Sequence, residues 1–263
     1  MSKDKIQLIH PTAIIHPGAR IGSGTQIGAY SVIEEHVIIG EHCHVHNHVV
    51  ICSGTNIGHE VTIYPFCVIG GAPQHLKYQD EPTIVEIKDG VTLREGVTVH
   101  RGTMFGRGKT VVYEKAYLMA YSHVAHDCVV GRESVFANVA LLAGHVEIGE
   151  HVNIGGNSAV VQFCRVGNYC YIGGGSLIRK DLPPFLLGKG NPFKVQGVNV
   201  IGLEKQGFSG DIILKIKDAF KIFYLSRLTT QAAIQTLISR GDLIPEVSSL
   251  IEFIQSSRVG ITR

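Results

Sequence analysis

The feature that most constrains this chain is a β-branched or aliphatic residue at every sixth position. From Ile9 the row runs without a gap through Ile15, Ile21, Ile27, Ile33, Ile39, Val45, Ile51, Ile57, Ile63 and Ile69. The same phase resumes as Ile87, Leu93 and Val99, and then from Val112 through Leu118, Val124, Val130, Phe136, Leu142, Ile148, Ile154, Val160, Val166, Ile172 and Ile178. Such a period matches neither the 3.6-residue repeat of a helix face nor the plain alternation of a strand. It fits a three-sided prism whose flat sides use six residues each, so that one coil takes 18. The large residue points inward, and a small one four places later (Ala19, Thr25, Ser31, Val97, Ser122, Ala140, Ser158) fills the corner beside it. Coils stacked by parallel strand pairing rise about 4.8 Å each. Residues 18 apart therefore lie one above the other.

The expected fold class is an all-β solenoid, a parallel β-helix, over residues 1–200, with a small C-terminal α-helical domain over 201–263. With 31 Gly and no Trp, the composition suits tight corners and small interior residues. Cys43, Cys67, Cys128, Cys164 and Cys170 fall at the small interior position and read as core filler; Cys52 does not. Two breaks in the phase, Gly70 to Glu86 and Met104 to Val111, predict loops leaving the prism, and such loops are candidates for binding. Beyond Lys180 the stretch DLPPFLLGKGNPFKVQGVN ends the coil. Helical spacing then sets in near Ser209, a candidate N-cap, with further helices expected over 230–240 and 245–256. Lys and Arg total 24 against 22 Asp and Glu, which leaves no basic footprint for nucleic acid. The leader MSKDKIQLIHPTA has no apolar signal region, and no run approaches the ~18 apolar residues of a membrane span. A cytoplasmic protein without stable membrane insertion is expected.

Of 14 histidines, His36, His42, His44, His46 and His48 sit on N-terminal turns and read as solvated surface, with metal chelation by the alternating His44, His46 and His48 as the alternative. The constellation that can carry chemistry lies in SHVAHDC (Ser122 to Cys128) and LLAGHVEIG (Leu141 to Gly149). Stacking by 18 sets Asp127 against His145 and His126 under Gly144, with Gln162 one coil above; with the second break skipped, Arg101 falls beneath His126 and His100 beneath Ala125. An imidazole with a neighbouring carboxylate can act as a general base, and a glycine amide can stabilise an oxyanion, which are the two needs of acyl transfer. The alternative is that these are turn residues bonding neighbouring coils.

HVAHDC, LAGHV, VxQFC, the loop PQxLKYQxEPT, VTVHRGT, DLPPF and the ending RVGITR, in order over nearly the whole chain, resemble the UDP-N-acetylglucosamine acyltransferases of lipid A biosynthesis. The resemblance implies a left-handed coil. It also implies transfer of a 3-hydroxyacyl chain from acyl carrier protein to the sugar 3-position by a cytosolic homotrimer, with active sites between subunits and no cofactor or metal. It further implies His126 as base, Asp127 as its orienting partner and the Gly144 amide as oxyanion donor. Gln74, Lys77, His123, His145, Gln162, Asn199 and Lys205 would bind substrate, and Gly174 would set acyl length, its small size leaving room for a donor longer than ten carbons. The chain departs from the family pattern at Val161 (usually histidine), His75 (aspartate), Ile201 (glutamate), and Lys205 and Gln206 (arginines). Lysine keeps the charge but loses the bidentate fork for phosphate. All five changes touch substrate binding, so a 3-amino analogue or another UDP-sugar stays open as acceptor. Other readings of the repeat are the N-acyltransferase of the same pathway, an acetyl-CoA-dependent sugar acetyltransferase, a zinc carbonic anhydrase using three histidines between subunits, with His100, His123 and His126 as candidates, and a non-catalytic scaffold. The anhydrase would leave Asp127 and Gly144 without a role.

Overall fold

The computed structural model describes residues 8–263; residues 1–7, which hold the charged leader and the start of the 1–200 unit, lie outside it. Strands of two to four residues stack into three parallel sheets that form the sides of a prism. The first face runs from Ile14–Ile15 up to Leu177–Ile178, the second from Arg20–Ile21 to Arg165–Val166, and the third from Gln26–Ile27 to Tyr171–Ile172. Pairing advances by one coil, as in Ile14 with Val32 and His123 with Leu141. Across the breaks, Val68 pairs with Thr98 and Thr98 with His123. The same column therefore continues through both excursions.

Inside the prism the two predicted positions alternate as one closed core. Ile33, Val37, Ile39, Cys43, Val45 and Val49 are all buried, and so on up to Ile172. Small polar fillers satisfy themselves on the coil above: Ser31 Oγ donates to the His46 carbonyl and accepts from the Val49 amide. Burial pushes the Cys67, Cys128 and Cys170 thiols up to about 12, so they behave as apolar filler. Truncating a large interior residue such as Leu93 to Ala would cost about 2–5 kcal/mol, because stacked neighbours cannot collapse into the gap.

Corners turn through residues in the left-handed backbone region, including non-glycines such as His36 (φ 60°), Asp127 (φ 61°) and His145 (φ 61°). The breaks are narrower than the phase suggests, since strands Val68–Gly71, Ile84–Ile87 and Lys109–Val112 extend into them. The stretch after Lys180 does not simply end the coil. Leu186–Lys189 and Lys194–Val198 form an antiparallel hairpin that caps the third face. Its prolines and glycines mask that pattern in the sequence. Helix α1 (Val200–Lys205) was not foreseen; α2 (Gly210–Tyr224), α3 (Thr230–Ile238) and α4 (Pro245–Gln255) were, and Ser209 caps α2 by accepting from the Ile212 amide. Leu203, Ile213 and Ile216 join the prism core, whereas Ala219, Ile222 and Phe223 form a second core with α3 and α4. Arg165 on the second face ties α4 down: it pairs with buried Asp181, donates to the Phe253 carbonyl, and lies 4.5 Å over the Phe253 ring. Among the described residues no helix is long and apolar enough to cross a membrane.

Candidate active site

His126 stands at the corner between the first and second faces, two residues after the interior residue Val124. Its Nδ1 lies 2.9 Å from Asp127 Oδ2, and both residues are buried. The remaining valences of Asp127 are filled by the second excursion. Thr103 Oγ1 donates to Oδ2 at 2.6 Å, while the Thr103 and Arg107 amides donate to Oδ1 at 3.0 and 2.7 Å. A side chain at Gly106 would put its Cβ 2.4 Å from that carboxyl, so the loop can wrap Asp127 only with glycine there. Burial alone would raise the Asp127 carboxyl, but the donors from His126, Thr103 and Arg107 outweigh it and hold the group well below the usual carboxylate range. Asp127 is thus a permanently ionised acceptor, which leaves His126 with its Nδ1 engaged and its Nε2 unpartnered beside the cleft.

Gly144 sits directly over the imidazole, where a Cβ would come within 2.7 Å of His126 Nε2 and 2.6 Å of Cε1. Glycine is needed here for close approach of the ring rather than for an unusual φ. The Gly144 amide has no intramolecular acceptor among the described residues, whereas its carbonyl accepts from Phe163. His145 packs edge-on to His126 with centroids 5.0 Å apart, stacks on Phe163 and lies 3.8 Å from Asp127. Burial pulls the His145 imidazole down, against the Asp127 carboxylate, which pulls it up.

A cleft of about 560 Å³ over the first face collects Gln74, His75, His123, His126, Gly144 and Gln162 above a floor of Leu141, Ala143, Ala159 and Val161. His123 accepts or donates at Nδ1 with Thr98 Oγ1, 2.7 Å away. Lys77 is exposed on the first excursion, outside the cleft lining. Arg101, expected beneath His126, instead turns to that excursion and clamps it through the Tyr78 hydroxyl and Asp80. His75 is held between Phe105 and the edge of His126, so the two excursions meet over the base. His100 is buried with Nδ1 unpartnered, and burial, followed by the charges of His123 and His126, brings it down to about 4.

Besides Lys77, three predicted residues lie outside the cleft in this chain. Asn199 caps α1 and donates to the Tyr169 carbonyl at the corner between the second and third faces. Lys205 is exposed at the end of α1. Gly174 lies at the opposite edge of the first face, against the Gly156 carbonyl. Thr103 and Gly106, which cage Asp127, escaped sequence reading; the glycines of MFGRGKT mark a close approach but not its target. Within one chain His100, His123 and His126 do not close into a metal-binding set. Among the described residues only His126, Asp127 and His145 bring donor atoms within 4.8 Å of one another, and the Asp127 oxygens already hold four donors.

A family model described as UDP-N-acetylglucosamine O-acyltransferase, domain 2, matches residues 181–262, and one described as bacterial transferase hexapeptide (six repeats) matches 18–53 and 145–180. The acyl-[acyl-carrier-protein]–UDP-N-acetylglucosamine O-acyltransferase of Halorhodospira halophila is 43% identical over 209 residues, covering 80% of this chain and 81% of that one. The crystal structure of UDP-N-acetylglucosamine O-acyltransferase from Moraxella catarrhalis is 40% identical and superposes with a TM-score of 0.94 over 97% of this chain and 100% of that one. A UDP-N-acetylglucosamine acyltransferase from Bacteroides fragilis, 38% identical, gives 0.95 over 97% and 99%. The prism is thus a left-handed parallel β-helix.

Proposed function

The chain belongs to the UDP-N-acetylglucosamine O-acyltransferase family, and we propose that His126 is the general base of its acyl transfer. The enzyme moves an acyl chain from acyl carrier protein to UDP-N-acetylglucosamine, the first step of lipid A biosynthesis. The observation that carries the site reading is the alignment of three groups: buried Asp127 on His126 Nδ1, a free Nε2, and the unengaged Gly144 amide directly above the ring.

In this reading Nε2 removes the proton of the sugar 3-hydroxyl as its oxygen attacks the thioester carbonyl. The resulting oxyanion takes the Gly144 N–H, and Asp127 stabilises the imidazolium without accepting its proton. Collapse breaks the carbon–sulfur bond, and His126 returns the proton to the departing thiolate. Gln74, His123, His145 and Gln162 orient the acceptor, while Gly174 bounds the tail of a 3-hydroxyacyl donor longer than ten carbons. We further propose a cytoplasmic homotrimer, in which Asn199, Lys205 and Lys77 serve a cleft shared between subunits; their absence from the cleft lining within one chain supports this. The β-helix over 1–200 would carry the chemistry and 201–263 would brace its end.

The test is turnover of UDP-N-acetylglucosamine and of its 3-amino analogue with a series of 3-hydroxyacyl carrier proteins, read by mass spectrometry. An O-acyl product from donors above ten carbons is expected. Exclusive use of the amine would reassign the acceptor. A Gly174→Met variant should shift the preference to shorter chains.

A further inference from the structure

The first excursion sets a second imidazole beside the base, and the loop that carries it fixes its tautomer. His75 lines the cleft half-buried, with its ring 4.6 Å from that of Phe105 and edge-on to His126 at 5.5 Å. The Lys77 backbone amide donates to His75 Nδ1 at 3.2 Å. A backbone N–H can only donate, so Nδ1 accepts and the ring proton resides on Nε2. The loop is itself held: the His75 carbonyl accepts from the Tyr78 amide at 3.0 Å, and Arg101 clamps Tyr78 and Asp80. The same logic fixes His126 the other way round, because its Nδ1 donates to the Asp127 carboxylate and its Nε2 keeps a lone pair. Two neighbouring rings thus present opposite hydrogen-bonding characters, an N–H on His75 and an acceptor on His126.

The charge of the cleft points the same way. Among the described residues no carboxylate lines it. Asp127 is buried beside His126, and its oxygens are already taken by four donors. The ionisable side chains on the lining are His75, His123 and His126, with His145 packed edge-on behind the base. Nothing there can neutralise a cation on the acceptor.

Resting on the reading of His126 as the base of acyl transfer, we infer that His75 is the residue by which this site selects a hydroxyl over an amine at the reacting position of the acceptor. A hydroxyl carries one proton and two lone pairs. Its proton goes to His126 Nε2, one lone pair attacks the thioester, and the other accepts from His75 Nε2. A neutral amine has two protons and a single lone pair. Once that pair is committed to attack, the His75 N–H loses its acceptor and faces a second N–H, a mismatch that costs more than a difference in size would. A protonated amine has no lone pair and adds a cation to a lining without a carboxylate. The reach is adequate. An oxygen about 2.9 Å from each of two ring nitrogens holds them no more than about 5.8 Å apart, and rings centred 5.5 Å from one another meet that limit. An aspartate at position 75 would invert the preference, since it only accepts.

The experiment is a competition in which equal amounts of UDP-N-acetylglucosamine and its 3-amino analogue share one 3-hydroxyacyl carrier protein, with the ester and amide products read as a ratio by mass spectrometry. Both acceptors draw on the same folded molecules, so a loss of fold or of general activity leaves the ratio unmoved. His75→Asp should shift it toward the amide about tenfold or more. His75→Phe, which keeps a ring against Phe105 but removes the donor, should shift it the same way by less. His75→Gln, whose amide N–H reaches as far as Nε2, should hold it within about threefold. A ratio unmoved by both Asp and Phe, or moved as far by Gln as by Asp, overturns the assignment and leaves the acyl-transfer reading intact. Calorimetry of the two sugar nucleotides, with the amine protonated, reads the same preference as a ratio of Kd without turnover. A difference there that depends on His75, with neither sugar acylated, would sink the acyl-transfer reading and keep His75 as the discriminating residue.

Discussion

His36 and His145 occupy the same corner of the prism, with the same left-handed backbone at φ 60° and 61°, yet they live in different worlds. The His36 side chain is 73% exposed and lies 3.6 Å from the Glu35 carboxylate. His145 is 18% exposed, stacked on Phe163 and edge-on to His126 beside a buried carboxylate. The lower coils show that the hexad places polar residues at corners at no cost, because solvent satisfies them. The upper coils show what turns a corner into a site. Two excursions meet over it, and the second replaces solvent with fixed donors to Asp127. The repeat is scaffold; the departures from it make the chemistry.

The largest contrast comes from deleting one imidazole in each region. His126→Ala should lower kcat/KM on the order of 10³-fold with folding retained, while His36→Ala should leave both activity and melting unchanged within about 0.5 kcal/mol. Equal effects would dissolve the distinction. Gly144→Ala should follow, at roughly 10²-fold, because its methyl enters the His126 ring. Thr103→Val tests the cage itself: it removes a buried donor to Asp127, so a loss of about 1–3 kcal/mol in stability and about tenfold in kcat is expected, with KM for the sugar nucleotide little changed. Thr103→Ser should restore both, and failure to do so would mean that the hydroxyl is not what matters.

Acid separates the regions in a gentler way. His100 is held at about 4 in the folded protein against about 6.5 when free, so between these values the unfolded chain binds more protons. Its contribution to stability is complete above about pH 6.5 and is lost as pH falls toward 4. Asp127, also depressed, adds a loss that begins below the free carboxyl value of about 4. Thermal melts from pH 7 to pH 4 should fall steadily, and His100→Gln should flatten the upper part of that slope. The smallest effect is expected from His44→Ser with His46→Ser, whose rings stack on one another at 4.1 Å on the outside of the third face. Activity should be unaltered, and a measurable loss would mean that the lower coils do more than support.

The period of six and the identity of its large and small members were enough to predict the three faces, the buried cysteines and the stacking of His126, Asp127, Gly144 and Gln162. Each hexad buries one large and one small side chain by the same local geometry, so every coil repeats the instruction independently, and a register read from spacing survives two insertions. Where the excursions land follows no such period. Thr103 and Gly106 close on Asp127, Arg101 turns away to Asp80, Asn199 becomes a helix cap, and Arg263 comes to rest beside Arg179 and Lys180, 84 and 83 positions back along the chain. Those placements come from contacts between segments remote in sequence, each made once. They were decided only when the whole chain packed, because hydrogen-bond satisfaction and close approach depend on the partner's surface and leave no recurring mark in the residues themselves.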